Sequence, residues 1–161
     1  MSDLATINDW IILAHPIFIE QVEALMHEVE ELRKKDPVNY RSKNPTKKLA
    51  AIHFLSFNKI PMDPTLSEYR QGNTLGDGNK HWFRAKFFQQ YRLFFRYHVE
   101  KKIIIYAWVN DDHTKRAYNK KTDAYAVFSK MLKNGKPPNN WIDLFKESED
   151  IKLIKKLKKW I

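Results

Sequence analysis

Residues 81–98 constrain the fold more than any other stretch of this 161-residue chain, reading HWFRAKFFQQYRLFFRYH. Aromatic and apolar side chains alternate with cations, the period-two pattern of strands with one wet face. Phe83, Ala85 and Phe87 point one way, and Arg84 and Lys86 the other. Past a turn near Gln89 and Gln90, Tyr91, Leu93, Phe95 and Tyr97 oppose Arg92, Phe94 and Arg96. Glu100-Lys101-Lys102 makes a second turn, and Ile103 to Val109 forms a third strand. The pattern predicts an antiparallel meander with Arg84, Lys86, Arg92 and Arg96 on one face. Like charges packed together cost free energy unless an anion joins them. Phosphate is the natural partner, because arginine contacts it bidentately.

The segments around the meander read as helices. Residues 8–35 are read as mainly helical, with Pro16 at a first turn and Phe18, Val22, Leu25, Val29 and Leu32 on one stripe. A second helix is expected to open with Asn44 as its cap and Pro45 at its first position, and to end before Pro61. Leu49, Ile52 and either Phe54 or Leu55 would face the core. Residues 72–79 hold three of the four glycines and form a loop. The loop lacks the GK[ST] of a Walker phosphate loop. Thr122 is read as the cap of a helix running to Lys133, closed by Gly135 and Pro137-Pro138, and a short helix starts near Asn140. Residues 151–161 place Leu153, Ile154, Leu157, Trp160 and Ile161 on one helical stripe and five lysines opposite. Such a helix docks on its own domain or lies on a membrane surface or a partner. The expected fold is α+β: a small antiparallel sheet flanked by helices, in one domain over 1–161, with residues 150–161 an appended basic helix.

Charge and composition narrow the function. The net charge is +10, yet it is unevenly spread: −5 over residues 1–40, then +4, +7 and +4 over 41–80, 81–121 and 122–161. An acidic opening before a basic centre suggests a face built for a polyanion. With no cysteine, disulfide scaffolds, zinc ribbons and thiol nucleophiles are excluded. The six histidines form no HExxH or other ligand spacing, and there is no GxSxG elbow. Asp111, Asp112 and Asp123 are read as turn and cap residues rather than metal ligands. No cofactor is expected. The longest apolar run, Ile103 to Val109, is too short to span a membrane. No signal peptide is visible, so a cytoplasmic protein is expected.

Longer motifs carry a family resemblance. The run from Trp82 to Arg96, then Trp108-Val109-Asn110-Asp111, then Tyr118 to Tyr125 and Val127 to Lys133, closely resembles the YhaV family of toxins. Trp10, Ala14-His15-Pro16, Lys35-Asp36-Pro37 and Asn39-Tyr40 add to it, and the likeness covers roughly residues 8–145. The resemblance implies a type II toxin of the RelE/ParE superfamily with a RelE-like fold and endoribonuclease activity that blocks translation. It implies a PrlF-like antitoxin partner, a swapped-hairpin DNA-binding dimer through which alone operator DNA is met, and mRNA as target at the ribosome. Matching by motif places the catalytic cations at Arg84, Lys86 and Arg92, with Arg116 beside them. Arg96, Tyr118, Lys120, Lys121 and Tyr125 are the expected substrate contacts, Tyr118 or Tyr125 as the base-stacking ring.

The expected reaction is metal-independent: the RNA 2′-hydroxyl attacks the adjacent phosphorus. Lys86 is the expected proton acceptor, Arg84 and Arg92 stabilise the phosphorane, and Arg116 or Lys121 supplies the proton. A cation-rich face serves equally well for a non-catalytic inhibitor that binds ribosome, DNA or gyrase.

Overall fold

The computed structural model describes residues 5–151; the proposed tail helix lies outside them beyond Ile151. The chain runs β1 (Thr6–Ile7), β2 (Trp10–Ala14), α1 (Pro16–Lys35), α2 (Asn44–Phe54), α3 (Ile60–Met62), β3 (Phe83–Phe87), β4 (Tyr91–His98), β5 (Ile103–Val109), α4 (Ala124–Lys133), α5 (Trp141–Glu147) and β6 (Glu149–Asp150). One sheet has the order β1-β2-β5-β4-β3, with β6 also on β2. The α+β fold and the meander are as the alternation demanded. Lys86 stands opposite Arg92 and Arg84 opposite Phe94, so these side chains share a face.

The opening is not one helix. Trp10–Ala14 is a strand, paired in parallel with β5. Its residues feed both faces, Ile12 into one apolar cluster and Leu13 into the other. A strand covered on both sides reads as a continuous apolar run and lacks the alternation that betrays a one-sided strand. Helix α1 starts at Pro16, where the His15 ring takes the first free amide: its Nδ1 accepts from Ile17 N at 3.2 Å.

Helices α1 and α2 cover one face of the sheet through Phe18, Val22, Leu49 and Ile52, against Leu93, Phe95 and Tyr106. Phe54 points to solvent and Leu55 inward. The second helix does not stop before Pro61. It continues through a π turn at Leu55–Lys59 into α3, which contains that proline. In π register the missing Pro61 N–H would have met the Ser56 carbonyl. The Tyr106 hydroxyl donates to that carbonyl instead, at 2.7 Å, from within the core.

Helices α4 and α5 cover the other face. Phe128 stacks on Phe94 at 4.3 Å between ring centroids and on Trp108 at 5.6 Å, and meets Trp82 edge-on at 5.0 Å. A register shift between Phe94 and Phe95 puts Ala107 and Trp108 both on this side, as a β-bulge does. Without it Trp108 would face α1. The glycine-containing loop is held by Gln71, whose Oε1 accepts from Leu75 N and whose Nε2 donates to Asn79 O.

Two core tyrosines give the fold an alkaline limit. Burial raises Tyr69 to about 12 and Tyr106 well above its ordinary value. Below about pH 10 both the folded and the unfolded chain keep these protons. Between about pH 10 and 12 the unfolded chain releases phenol protons that the folded chain retains, so stability falls as pH rises. Thermal melts followed by circular dichroism, with tyrosinate absorbance in parallel, should show the melting temperature dropping in that window. All seven tyrosines ionising together near pH 10 in a chain that stays folded would contradict this.

Candidate active site

Three of the sequence-selected cations meet at one phenol. Strands β3 and β4 bring Arg84 and Arg92 onto the face that α4 covers, and the first turn of α4 carries Tyr125. Arg84 Nε donates to Tyr125 Oη at 2.9 Å and Arg92 Nε donates to the same oxygen at 3.2 Å. The Arg116 guanidinium lies 4.7 Å from the centre of the Tyr125 ring. Tyr125 is buried, its faces occupied by Phe94 edge-on and by these cations. Its ring is therefore closed to a nucleobase. Oη already accepts twice, and its own proton has no acceptor among the described residues.

Backbone carbonyls fix both arginines. Arg84 Nη1 donates to Glu68 O at 2.7 Å; Arg92 Nη1 donates to Gln89 O at 2.8 Å and Tyr91 O at 2.9 Å. Neither meets a carboxylate among the described residues, though they are only 8% and 7% exposed. The Nη2 group of each has no partner among the described residues. Two nearly buried guanidinium groups with no counter-charge are costly, and an anion would offset that cost.

Arg116 differs. It pairs with Asp123 and stacks on Tyr118 at 4.1 Å. Burial acts to lower its pKa, but hydrogen bonds with Tyr118 and Asp123 prevail and hold it above the ordinary value. Asp123, not Thr122, caps α4, accepting from Tyr125 N at 3.0 Å and from Ala117 N at 2.7 Å. The carboxylate can serve both Arg116 and the helix amides, whereas a threonine hydroxyl would leave the guanidinium unpaired.

The remaining residues stand around this cluster or away from it. Lys86 lies beside Arg92 on the same face but is exposed. Tyr118 is 79% exposed, and Lys120 and Lys121 are exposed on the loop leading to α4. Arg96 shares the face but turns elsewhere. It is clamped between Trp82 and Trp141, at 5.5 and 5.3 Å from their ring centres, and Nη1 donates to Asn139 O. Burial lowers it to about 10. His81 bonds Asn139, and His98 lies against Trp141; neither reaches Tyr125. No three of His, Asp, Glu and Cys gather as metal ligands among the described residues, and no helix there is long and apolar enough to cross a membrane.

Asn110 stands in one of the family-like motifs, yet sequence reasoning assigned it no role in the site. It is fully buried. Its Oδ1 accepts from Arg92 N at 2.6 Å, and its Nδ2 donates to Gln90 O and Thr114 O, both at 2.9 Å. Asn110 thus clamps the start of β4 to the loop that carries Arg116. Its signal was a polar residue directly after seven apolar ones.

Comparison with known proteins places the chain in a family. Residues 12–149 match the family of YhaV toxins, described as toxins with endonuclease activity, of toxin-antitoxin systems. The chain is 50% identical over 146 residues to the ribonuclease toxin YhaV of Escherichia coli strain K12, a match covering 89% of this chain and 95% of that protein. Toxin YhaV of E. coli O157:H7 and toxin YhaV of E. coli O6:H1 strain CFT073 match to the same extent. No solved structure matches significantly.

Two substitutions measure how far the cluster is built into the fold. Tyr125→Phe strips the shared acceptor from Arg84 and Arg92, and Asn110→Ala strips Arg92 N and two carbonyls. Each buried group left unpaired costs about 1–3 kcal/mol. Urea unfolding should show a lower midpoint for both variants; unchanged midpoints would mean the contacts carry no stability.

Proposed function

The chain belongs to the YhaV family of toxins, and on that premise we propose that it is an endoribonuclease which cleaves mRNA, at the ribosome, by attack of the RNA's own 2′-hydroxyl. It is a toxin of a toxin-antitoxin system with nuclease activity. The convergence of Arg84, Arg92 and Arg116 around Tyr125, beside exposed Lys86, supports the finer reading.

Transesterification by the 2′-hydroxyl needs a proton acceptor, counter-charge for the pentavalent phosphorane and a proton donor for the departing 5′-oxygen. Free Nη2 protons of Arg84 and Arg92 bind the non-bridging oxygens, and the carbonyl ties keep both groups in place before substrate arrives. Such preorganisation is where most electrostatic stabilisation comes from. The charge a metal would otherwise bring is then already present. Lys86, across from Arg92 on the same face, takes the 2′-hydroxyl proton as its neutral amine and becomes the ammonium. Arg116 is a poor proton donor, being held charged by Asp123. Tyr125 suits that step better: its hydroxyl proton is uncommitted, and the oxygen left behind is held by two guanidinium N–H groups. Tyr118, exposed on Arg116, offers a ring for a neighbouring base. Lys120 and Lys121 add diffuse attraction for flanking phosphates. The products are a 2′,3′-cyclic phosphate and a 5′-hydroxyl.

The partner in this reading is a PrlF-like antitoxin, a swapped-hairpin DNA-binding dimer that covers the cationic face and alone carries operator binding. Both proteins act in the cytoplasm, where mRNA is translated.

Losing one preorganised charge donor costs about 2.7–4 kcal/mol of barrier. Arg84→Ala and Arg92→Ala should therefore slow cleavage about a hundredfold or more, with native circular dichroism retained and excess EDTA without effect on the parent. Mapping of 5′ ends after induction checks the reaction itself. New internal ends support it; intact transcripts with stalled synthesis would identify a ribosome-binding inhibitor instead.

A further inference from the structure

A cleft of about 810 Å³ opens at the same end of the sheet as the arginines, on the opposite face, between α1, α2 and the loop after β5. Its floor is Tyr91, the neighbour in sequence of Arg92. Lys48 Nζ sits 4.4 Å from the centre of the Tyr91 ring and donates to Asn110 O at 3.0 Å. The Tyr91 hydroxyl donates to Asp112. An ammonium donor and a carboxylate acceptor thus converge on one aromatic ring, each with hydrogen-bonding capacity to spare. Burial lowers the Lys48 pKa, and its nearest carboxylates only partly compensate.

The rim carries a second, independent oddity. Phe88 and Gln89, in the β3–β4 turn, adopt φ of 46° and 65°. Non-glycine residues avoid that region, and bulky ones most of all. The turn leaves Phe88 54% exposed at the mouth of the cleft. A glycine would make the turn without strain, so the phenyl ring is retained at a cost to the backbone.

We propose that this cleft receives one purine base of single-stranded RNA, adjacent to the phosphate held by Arg84 and Arg92. This deepens the endoribonuclease reading, on which it rests. A base suits the cleft better than a phosphate, because Lys47, Lys48 and Lys115 are balanced there by Glu28, Asp111 and Asp112. Phe88 offers the stacking face, and Lys48 and Asp112 a donor and an acceptor for the base edge. Adenine presents the N7 acceptor beside the N6 amine donor, guanine the O6 acceptor beside N1–H, and either gives two rings to stack. The volume lies in the range of small-molecule sites. The two sites are joined by one residue of strand, since Tyr91 lines the cleft while its carbonyl holds Arg92 Nη1. A chain leaving the arginines over the end of the sheet therefore meets the cleft next.

Nucleosides without phosphate separate this site from the arginines. Adenosine, guanosine, cytidine and uridine would be titrated into the full-length ¹⁵N-labelled protein, and 5′ ends sequenced after cleavage of a randomised RNA. The expected result is purine binding at least about tenfold tighter than pyrimidine binding, with amide shifts at residues 88–91 and 111–115. Phe88→Gly and Lys48→Met should abolish that preference and flatten the base bias at one position beside the cut. Phe88→Gly should melt no lower than the parent, because it relieves strain. Gln89→Gly, which relieves strain and keeps the ring, should leave the preference intact. Equal or undetectable binding of all four nucleosides would overturn the proposal, as would an unchanged preference in Phe88→Gly. Should the parent cut no RNA, the nuclease reading fails, and the nucleoside titration still decides the cleft.

Discussion

Two guanidinium groups share one phenol oxygen, and the architecture around that point serves to keep them there. Arg84 and Arg92 reach Tyr125 Oη from neighbouring strands. Strand register sets their spacing, and the α4 cap sets the height of the tyrosine. The bulge opposite Phe94 lets Trp108 and Phe94 form the apolar bed on which Phe128 lies. Asp123 then joins the cap of α4 to Arg116, and Asn110 joins the start of β4 to the same loop. Positive charge is concentrated by geometry while, among the described residues, carboxylates are kept from two of the three guanidinium groups. A protein built only for stability would neutralise them.

Much of this was legible in the sequence, for identifiable reasons. The strand alternation from Phe83 to Tyr97 fixed which side chains share a face, because strand period leaves no freedom once one face is apolar. The Lys86–Arg92 pairing comes from a three-residue turn, Phe88 to Gln90, between the paired Phe87 and Tyr91; a two-residue turn at Gln89 and Gln90 would have set Phe87 opposite Arg92. Helix starts were readable to within a residue from local chemistry, the prolines above all, although the caps are Lys43 and Asp123 rather than Asn44 and Thr122. Strand β2 was not, because an apolar run buried on both sides carries no periodicity, and its parallel partner lies some 90 residues away. The persistence of the second helix through Pro61 was equally hidden, since the group that satisfies the orphaned carbonyl is Tyr106 on a distant strand.

The site was legible as a set of residues and less so as an arrangement. Arg84, Arg92, Arg116 and Tyr125 come together, and Lys86 flanks them. Arg96, on the same strand face, is drawn between two tryptophans; strand period gives the face of a side chain but not the direction of a long one. Tyr125 lies at the centre as a hydrogen-bonding hydroxyl rather than an open ring. Asn110 was assigned no role because its importance is a matter of burial, which a single sequence does not display. Family membership brings a toxin with nuclease activity, and the cluster supplies a physical reason why such a chain would take hold of a phosphodiester.

The central claim is that Arg84 and Arg92 hold backbone phosphate directly. Salt dependence of binding tests it most closely, using a non-cleavable 2′-O-methyl RNA and comparing the parent with the Arg84→Ala, Arg92→Ala double variant. Each phosphate contact on a single strand contributes about 0.7 to the slope of log affinity against log salt. Because both arginines hold the same phosphate, the slope should shrink by about 0.7 in the double variant. An unchanged slope, with weaker or equal affinity, would place the phosphate elsewhere and contradict the account.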